Sequence, residues 1–328
     1  MFLKLKNKLL LTILLLVIIP INVFAYSNYV IASGETIGIE VNSKGILIVG
    51  FYEVENSYIA KDAGFEIGDK ITKINKTEVD SISNMVSAIE QVDSNKIDFT
   101  IQRNKQEKTI ELELKKDDNK ILKTGLYVKD QINGIGTLTY IDPETKRFGA
   151  LGHEIIETTT AQKFEIKDGK IYNAKVSEIE KSRDGNAGEK NATYDKITST
   201  GEIDSNDITG IYGTYQEEIA NIDTMEVGEV KDIKTGPAKI KTVVKDSQVE
   251  EFDINIINID TTSKTKNILF EITDTKLLSK TGGVVQGMSG SPIIQDNKII
   301  GAVNYVIVND TKKGYGIFIT TMLKEGDK

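Results

Sequence analysis

The chain has 328 residues, with 49 acidic against 41 basic side chains and a formal net charge of −8. That balance gives a nucleic-acid role no electrostatic support. There is no cysteine and one histidine, His153, which excludes disulfides, thiolate metal sites, cysteine nucleophiles and multi-histidine zinc sites.

Lys4, Lys6 and Lys8 precede the apolar run LLLTILLLVII (9–19), and small residues follow at Val23 and Ala25. This order describes an export segment. Residues 1–25 read either as a signal peptide cut after Ala25 or as an N-terminal membrane anchor. As a helix, Leu9 to Ala25 would be about 25 Å long, against about 30 Å of hydrocarbon. Both readings place the remainder outside the cytoplasm, membrane-associated or free.

Residues 33–55 alternate and are rich in β-branched side chains, which predicts strands. AKDAGFEIGDKITKINKTEVDS (60–81) carries Gly64, Gly68-Asp69 and a short strand at Ile71–Ile74. SISNMVSAIEQV (81–92) then places Ile82, Met85, Val86 and Ile89 on one helix face, with Ser81 available as cap. Residues 96–116 read as a closing hairpin, and KKDDNK (115–120) as a polar boundary. From Leu126 onward the text is nearly all short strands separated by Gly, Asn and Asp turns, which implies a sandwich or barrel. No long segment before the C-terminus has helical periodicity.

Chemistry concentrates in GGVVQGMSGSPII (282–294), where two serines sit between glycines on a turn flanked by apolar runs. A glycine-serine corner between two strands is the plain reading. An α/β-hydrolase elbow fails, because its pattern is G-x-S-x-G before a helix with the histidine later. Here the fifth residue is Ser291 and the histidine comes earlier. A chymotrypsin-type turn, G-x-S-G-x-P, fits better, with Ser289 as nucleophile and the amides of Gly287 and Ser289 as oxyanion hole. Ser291 is fixed by Pro292. A serine hydroxyl needs a base, and His153, in FGALGHEII (148–156), is the only imidazole. HEIIE (153–157) is not a zinc motif, because Glu157 stands where the second histidine belongs. For the third member, Asp184, Asp195 and Asp274 all stay open on spacing alone.

Two resemblances follow from these stretches. TIGI (36–39), GILIVGFYEV (45–54) and AKDAGFEIGDKITKINKTEV (60–79), with the helix after them, resemble a PDZ domain of the bacterial protease type. The resemblance implies capture of a peptide C-terminus by strand addition, its carboxylate held by backbone N–H groups of Ile37, Gly38 and Ile39. The other reading is that the module only folds, or docks internally. With LYVKDQINGIGTLTYIDPETKRFGALGHEI (126–155) and TGGVVQGMSGSPIIQDNKIIGAVNYVIVNDTKKGYGIFI (281–319), most of the chain after the export segment resembles the SpoIVB-type serine peptidases, stage IV sporulation protein B.

That resemblance implies a mainly β protein: a small PDZ domain at 33–116, then a chymotrypsin-like double β-barrel protease domain at 122–328. It implies an exported endopeptidase of sporulation signalling that needs no cofactor. Such an enzyme clips a membrane-bound regulator, so that an intramembrane protease can activate a late sigma factor, and it cleaves itself. Carried onto this sequence, the base is His153, the nucleophile Ser289 and the acid Asp274. Met288 stands where trypsin-like zymogens carry an aspartate, so no switch driven by a new N-terminal amine is expected. The rival readings are a catalytically inactive scaffold and a serine–lysine dyad using a lysine such as Lys280.

Overall fold

The computed structural model describes residues 26–116, 121–219 and 223–328. The export segment 1–25 and most of the polar boundary at 115–120 lie outside the described residues. Among the described residues, no helix is long and apolar enough to cross a membrane.

Alternation builds the strands. In Val249–Ile259, Phe252, Ile254 and Ile256 point inward while Glu251 and Asp253 face solvent, the period of two that a half-buried strand requires. Six antiparallel strands close a first barrel, in the order Thr36–Phe51, Leu126–Ile141, Arg147–Ala150, Gly210–Tyr215, Gly201–Asp207, Ile166–Glu180 and back to the first. A second barrel closes through Gly236–Val243, Val249–Ile259, Ile268–Ile272, Lys313–Phe318, Lys298–Val306 and Pro292–Gln295. Closure leaves neither sheet an open edge within the barrels. Each barrel has its own apolar core, one around Ile37, Ile171 and Phe148, the other around Ile240, Phe270 and Ile293. A third cluster, including Tyr140, Tyr212, Ile317 and Met322, cements the barrels together with the C-terminal helix Ile319–Gly326.

The PDZ-like unit has a separate core around Ile46, Phe65, Phe99 and Ile89. Its helix Ile82–Glu90 is capped by Ser81, whose hydroxyl accepts from Asn84 N at 3.2 Å. The expected boundary at residue 33 is corrected, because Tyr29–Ala32 and the first half of Thr36–Phe51 belong to the protease. The PDZ unit is an insertion. Thr36–Phe51 leaves the first barrel, runs into the unit past a register break between Asn42 and Leu47, and the chain returns through Leu126–Ile141.

This topology overturns the expected carboxylate loop. Ile37, Gly38 and Ile39 are not in a loop. They sit mid-strand, paired with Asn173, Tyr172 and Ile171 on one side and Gly136, Ile135 and Gly134 on the other. Both faces of the backbone are used, and Ile37 and Ile39 are buried in the first barrel. Their N–H groups cannot hold a ligand.

Candidate active site

Two turns face one another across the junction of the barrels. The first follows Arg147–Ala150. Leu151 and Gly152 both take positive φ, 70° and 73°, and deliver His153 to the cleft. A Cβ on Gly152 would lie 3.2 Å from Asn304 Cβ, so the turn runs directly against the second barrel. The second turn is Gln286–Ser291. Ser289 and His153 line the same cleft of about 640 Å³, together with Gly287, Asn304 and Tyr305.

The nucleophile turn is held from behind. Thr137 N donates to Ser289 O (2.9 Å), Thr137 Oγ1 to Gly287 O (2.7 Å) and Thr139 Oγ1 to Gly290 O (2.7 Å). Gly290, at φ 95°, is obligatory here: a Cβ would stand 2.0 Å from Thr137 O. Gln286 O accepts from Lys190 N (2.9 Å) and Met288 O from Ser291 N (2.9 Å). The chain has no cis peptide among the described residues, and in a trans peptide the N–H points opposite the carbonyl. Anchoring those two carbonyls therefore aims Gly287 N–H and Ser289 N–H to the other side. Neither donates within the described structure, and free donors are a condition for an oxyanion hole.

Ser289 is half-buried and its Oγ bonds Asn304 O at 3.3 Å. Ser291 is fully buried, and its Oγ bonds Thr242 Oγ1 at 3.0 Å. Of the two serines, Ser289 is the one open to the cleft. The His153 ring stacks on Tyr305 at 5.5 Å between centroids. Its Nδ1 lies 2.9 Å from Glu154 O; donation there puts the proton on Nδ1 and leaves Nε2 as the basic nitrogen. Burial holds the imidazole pKa below its usual value, so neutral imidazole prevails at neutral pH.

Asp274 is not brought to this cleft. It caps the helix Thr275–Thr281, its Oδ1 accepting from Leu277 N at 2.8 Å, with Oδ2 3.5 Å from Asp253 N. Among the described residues, the charged group acting on His153 is Glu154. In this structure Asp274, the expected triad acid, stands as the N-cap of the helix leading into the nucleophile turn and makes no hydrogen bond to His153. Lys280 lies on that same helix and pairs with Glu250 at 3.9 Å, outside the cleft.

A lysine absent from the sequence reading does lie here. Lys190 is 1% exposed, its stem about 3.1–3.3 Å from where a Gly287 Cβ would stand. Its Nζ bonds Thr242 Oγ1 at 2.8 Å, and burial brings its pKa down to about 7. The amine reaches Ser291 through Thr242, not Ser289. Met288, fully buried in the second barrel's core, carries no ion pair.

The sequence profile of the SpoIVB peptidase S55 family matches residues 120–323, well over half of the chain. The chain belongs to the SpoIVB peptidase S55 family. A PDZ-domain profile matches residues 36–114 of this S55 peptidase, and the family makes it a serine peptidase. No curated protein sequence matches the chain. Among solved structures, it is similar to the HtrA-type protease AlgW with a tripeptide, at 12% identity over 58% of this chain and 54% of that one, TM-score 0.35. It is also similar to the Rv3671c protease of M. tuberculosis in its inactive form, at 13% identity over 58% and 81%, TM-score 0.30. The S55 peptidase aligns with about half the length of AlgW.

Proposed function

We propose that this S55 peptidase is an exported serine endopeptidase of sporulation signalling. It cleaves a membrane-associated regulator, so that an intramembrane protease can process a late sigma factor, and it cleaves itself. The observation that carries the catalytic part is the pair of N–H groups at Gly287 and Ser289, turned outward by anchored carbonyls beside an open serine and a neutral histidine. Ser289 Oγ attacks the scissile carbonyl carbon while its proton passes to His153 Nε2. The oxyanion takes hydrogen bonds from Gly287 N–H and Ser289 N–H. Collapse breaks the C–N bond, and His153 returns the proton to the leaving amine. Water, activated by His153, then hydrolyses the acyl-enzyme. The pathway assignment rests on family membership.

The test is incubation of the full chain with a fluorophosphonate probe, followed by peptide mapping. A label on Ser289, and self-cleavage fragments that the probe suppresses, are expected. An unlabelled, unprocessed chain would mean an inactive scaffold.

The PDZ unit is proposed to take a peptide C-terminus at a different place from Ile37–Ile39. Leu126–Lys129 pairs on one side with Leu47–Phe51; among the described residues no strand covers its other side. The helix Ile82–Glu90 lies beside it, Ile82 N donating to Asp130 Oδ2 at 2.7 Å. Thr124-Gly125-Leu126, with Gly125 at φ 74°, opens this strand as a carboxylate loop would. Ile82 and exposed Val86 offer apolar contacts one helical turn apart. Calorimetry should detect a peptide with a free apolar C-terminus, and Val86→Asp should weaken it about tenfold or more. Equal binding of the amidated peptide would remove this site from consideration.

A further inference from the structure

The second barrel lines the cleft with two segments, residues 284–286 before the nucleophile turn and residues 304–308 after the strand's last bulge. They are tied together at both ends. Beside the nucleophile, Gly290 N donates to Val303 O at 2.7 Å and Ser289 Oγ meets Asn304 O at 3.3 Å. At the far end Val284 N donates to Thr311 O at 2.7 Å. That end is also stopped: a Cβ on Gly283 would lie 2.3 Å from Thr311 O, and one on Gly282 2.3 Å from Ser182 O. The turn between Ile166–Glu180 and Glu189–Tyr194 braces both segments from outside. Ser182 Oγ donates to Val284 O at 2.6 Å and accepts from Gly188 N at 2.8 Å, while Gly185 N donates to Val308 O at 2.8 Å. The wall is thus held by the chain's own bonds.

Its chemistry is uniform. Val284, Val285, Val306 and Val308 face the cleft from these segments. Val284 and Val285 are part of the second barrel's core, and Val306 packs against it. Val308 is 45% exposed, an apolar side chain left at the rim. Among the described residues the charged side chains lining the cleft are Glu154, Glu189 and Lys190, and none stands on either segment. Glu154 adjoins His153, Glu189 is exposed, and Lys190 donates to Thr242. Asp184, behind the stopped end, accepts from Thr311 N at 3.2 Å. An ionised side chain laid on the valine wall would lose water and gain no partner.

The reaction decides which part of a substrate meets this wall. The attacked carbonyl belongs to the residue before the cut, whose Cα is one bond, about 1.5 Å, from the carbonyl carbon. Its oxygen goes to Gly287 N–H and Ser289 N–H, directly after residues 284–286. The leaving nitrogen must face His153, on the first barrel, to receive its proton. The acyl side is left to the second barrel. We infer that Val284, Val285, Val306 and Val308 form the subsite for the residue before the cut, and that this peptidase cleaves after aliphatic side chains, valine, isoleucine or leucine, with Val308 as a specificity-determining residue. This rests on the Ser289–His153 reading above.

The test begins with the full chain digesting a peptide library, the cut bonds being read by mass spectrometry. Most cuts should follow Val, Ile or Leu. In peptides that differ only at this residue, kcat/KM should be about 10²-fold or more higher for Val than for Lys or Glu. Val308→Asp should raise the Lys-to-Val ratio of kcat/KM by about tenfold or more, and Val308→Lys should do the same for Glu over Val. Melting temperatures report that both variants fold. Cuts mainly after charged or aromatic residues, or ratios unmoved in the folded variants, overturn the inference. Fluorophosphonate labelling of wild-type Ser289 separates these results from failure of the serine–histidine reading, which would abolish label and cuts together.

Discussion

Replacing Ser289 by Ala is expected to lower kcat about 10⁶-fold, and adding His153→Ala to cost little more, because nucleophile and base act as one unit. The turn should survive the change. Its anchors are the carbonyls of Gln286, Gly287, Met288, Ser289 and Gly290, and Ser289 Oγ contributes only one long bond to Asn304 O. Residual catalysis of about 10³–10⁴ over water should remain, from the two oxyanion N–H groups and substrate binding. Ser291→Ala supplies the contrast. Its hydroxyl is buried against Thr242 and never meets the cleft. That variant should keep kcat within about tenfold while losing about 1 kcal/mol of stability, the net worth of one hydrogen bond. Steady-state kinetics on a peptide substrate, with denaturant melts alongside, decide the matter. If Ser291→Ala is the inactive variant and Ser289→Ala is not, the nucleophile has been assigned to the wrong serine.

The nucleophile turn and the histidine could be read from the chain because their chemistry is local. Six residues from Gly287 to Pro292 dictate the backbone, and one histidine leaves no choice of imidazole. What failed was long-range pairing. TIGI (36–39) reads as the PDZ carboxylate loop, yet its partners are Gly134–Thr137 and Ile171–Asn173, about a hundred residues away, where no local pattern reports on them. The place of Asp274 in the fold was hidden for a related reason. It follows the strand Ile268–Ile272, and the seven-residue helix after it carries only two leucines, too few to show a helical period. Its cap signal was nonetheless present, with Asp274 before the helix and Gly282 after it at φ 72°.

Lys190→Met should make the protein more stable, and the gain should depend on pH in a definite sense. Lys190 is buried, and no salt bridge to it exists among the described residues; desolvation alone sets its pKa at about 7, against 10.5 for the free side chain. Between about pH 7 and 10.5 the unfolded chain therefore binds a proton that the folded chain does not, and stability rises with pH across that window. At pH 7 and below, the full cost of the buried amine is present, on the order of a few kcal/mol. Methionine keeps a stem of similar reach against Gly287 and carries nothing to desolvate. Thr242 and Ser291 can still bond one another. The melting temperature should rise by about 5 °C at pH 7, and the advantage should fade toward pH 10.5. A gain that does not vary with pH would mean the amine is paired in solution and the burial argument is wrong.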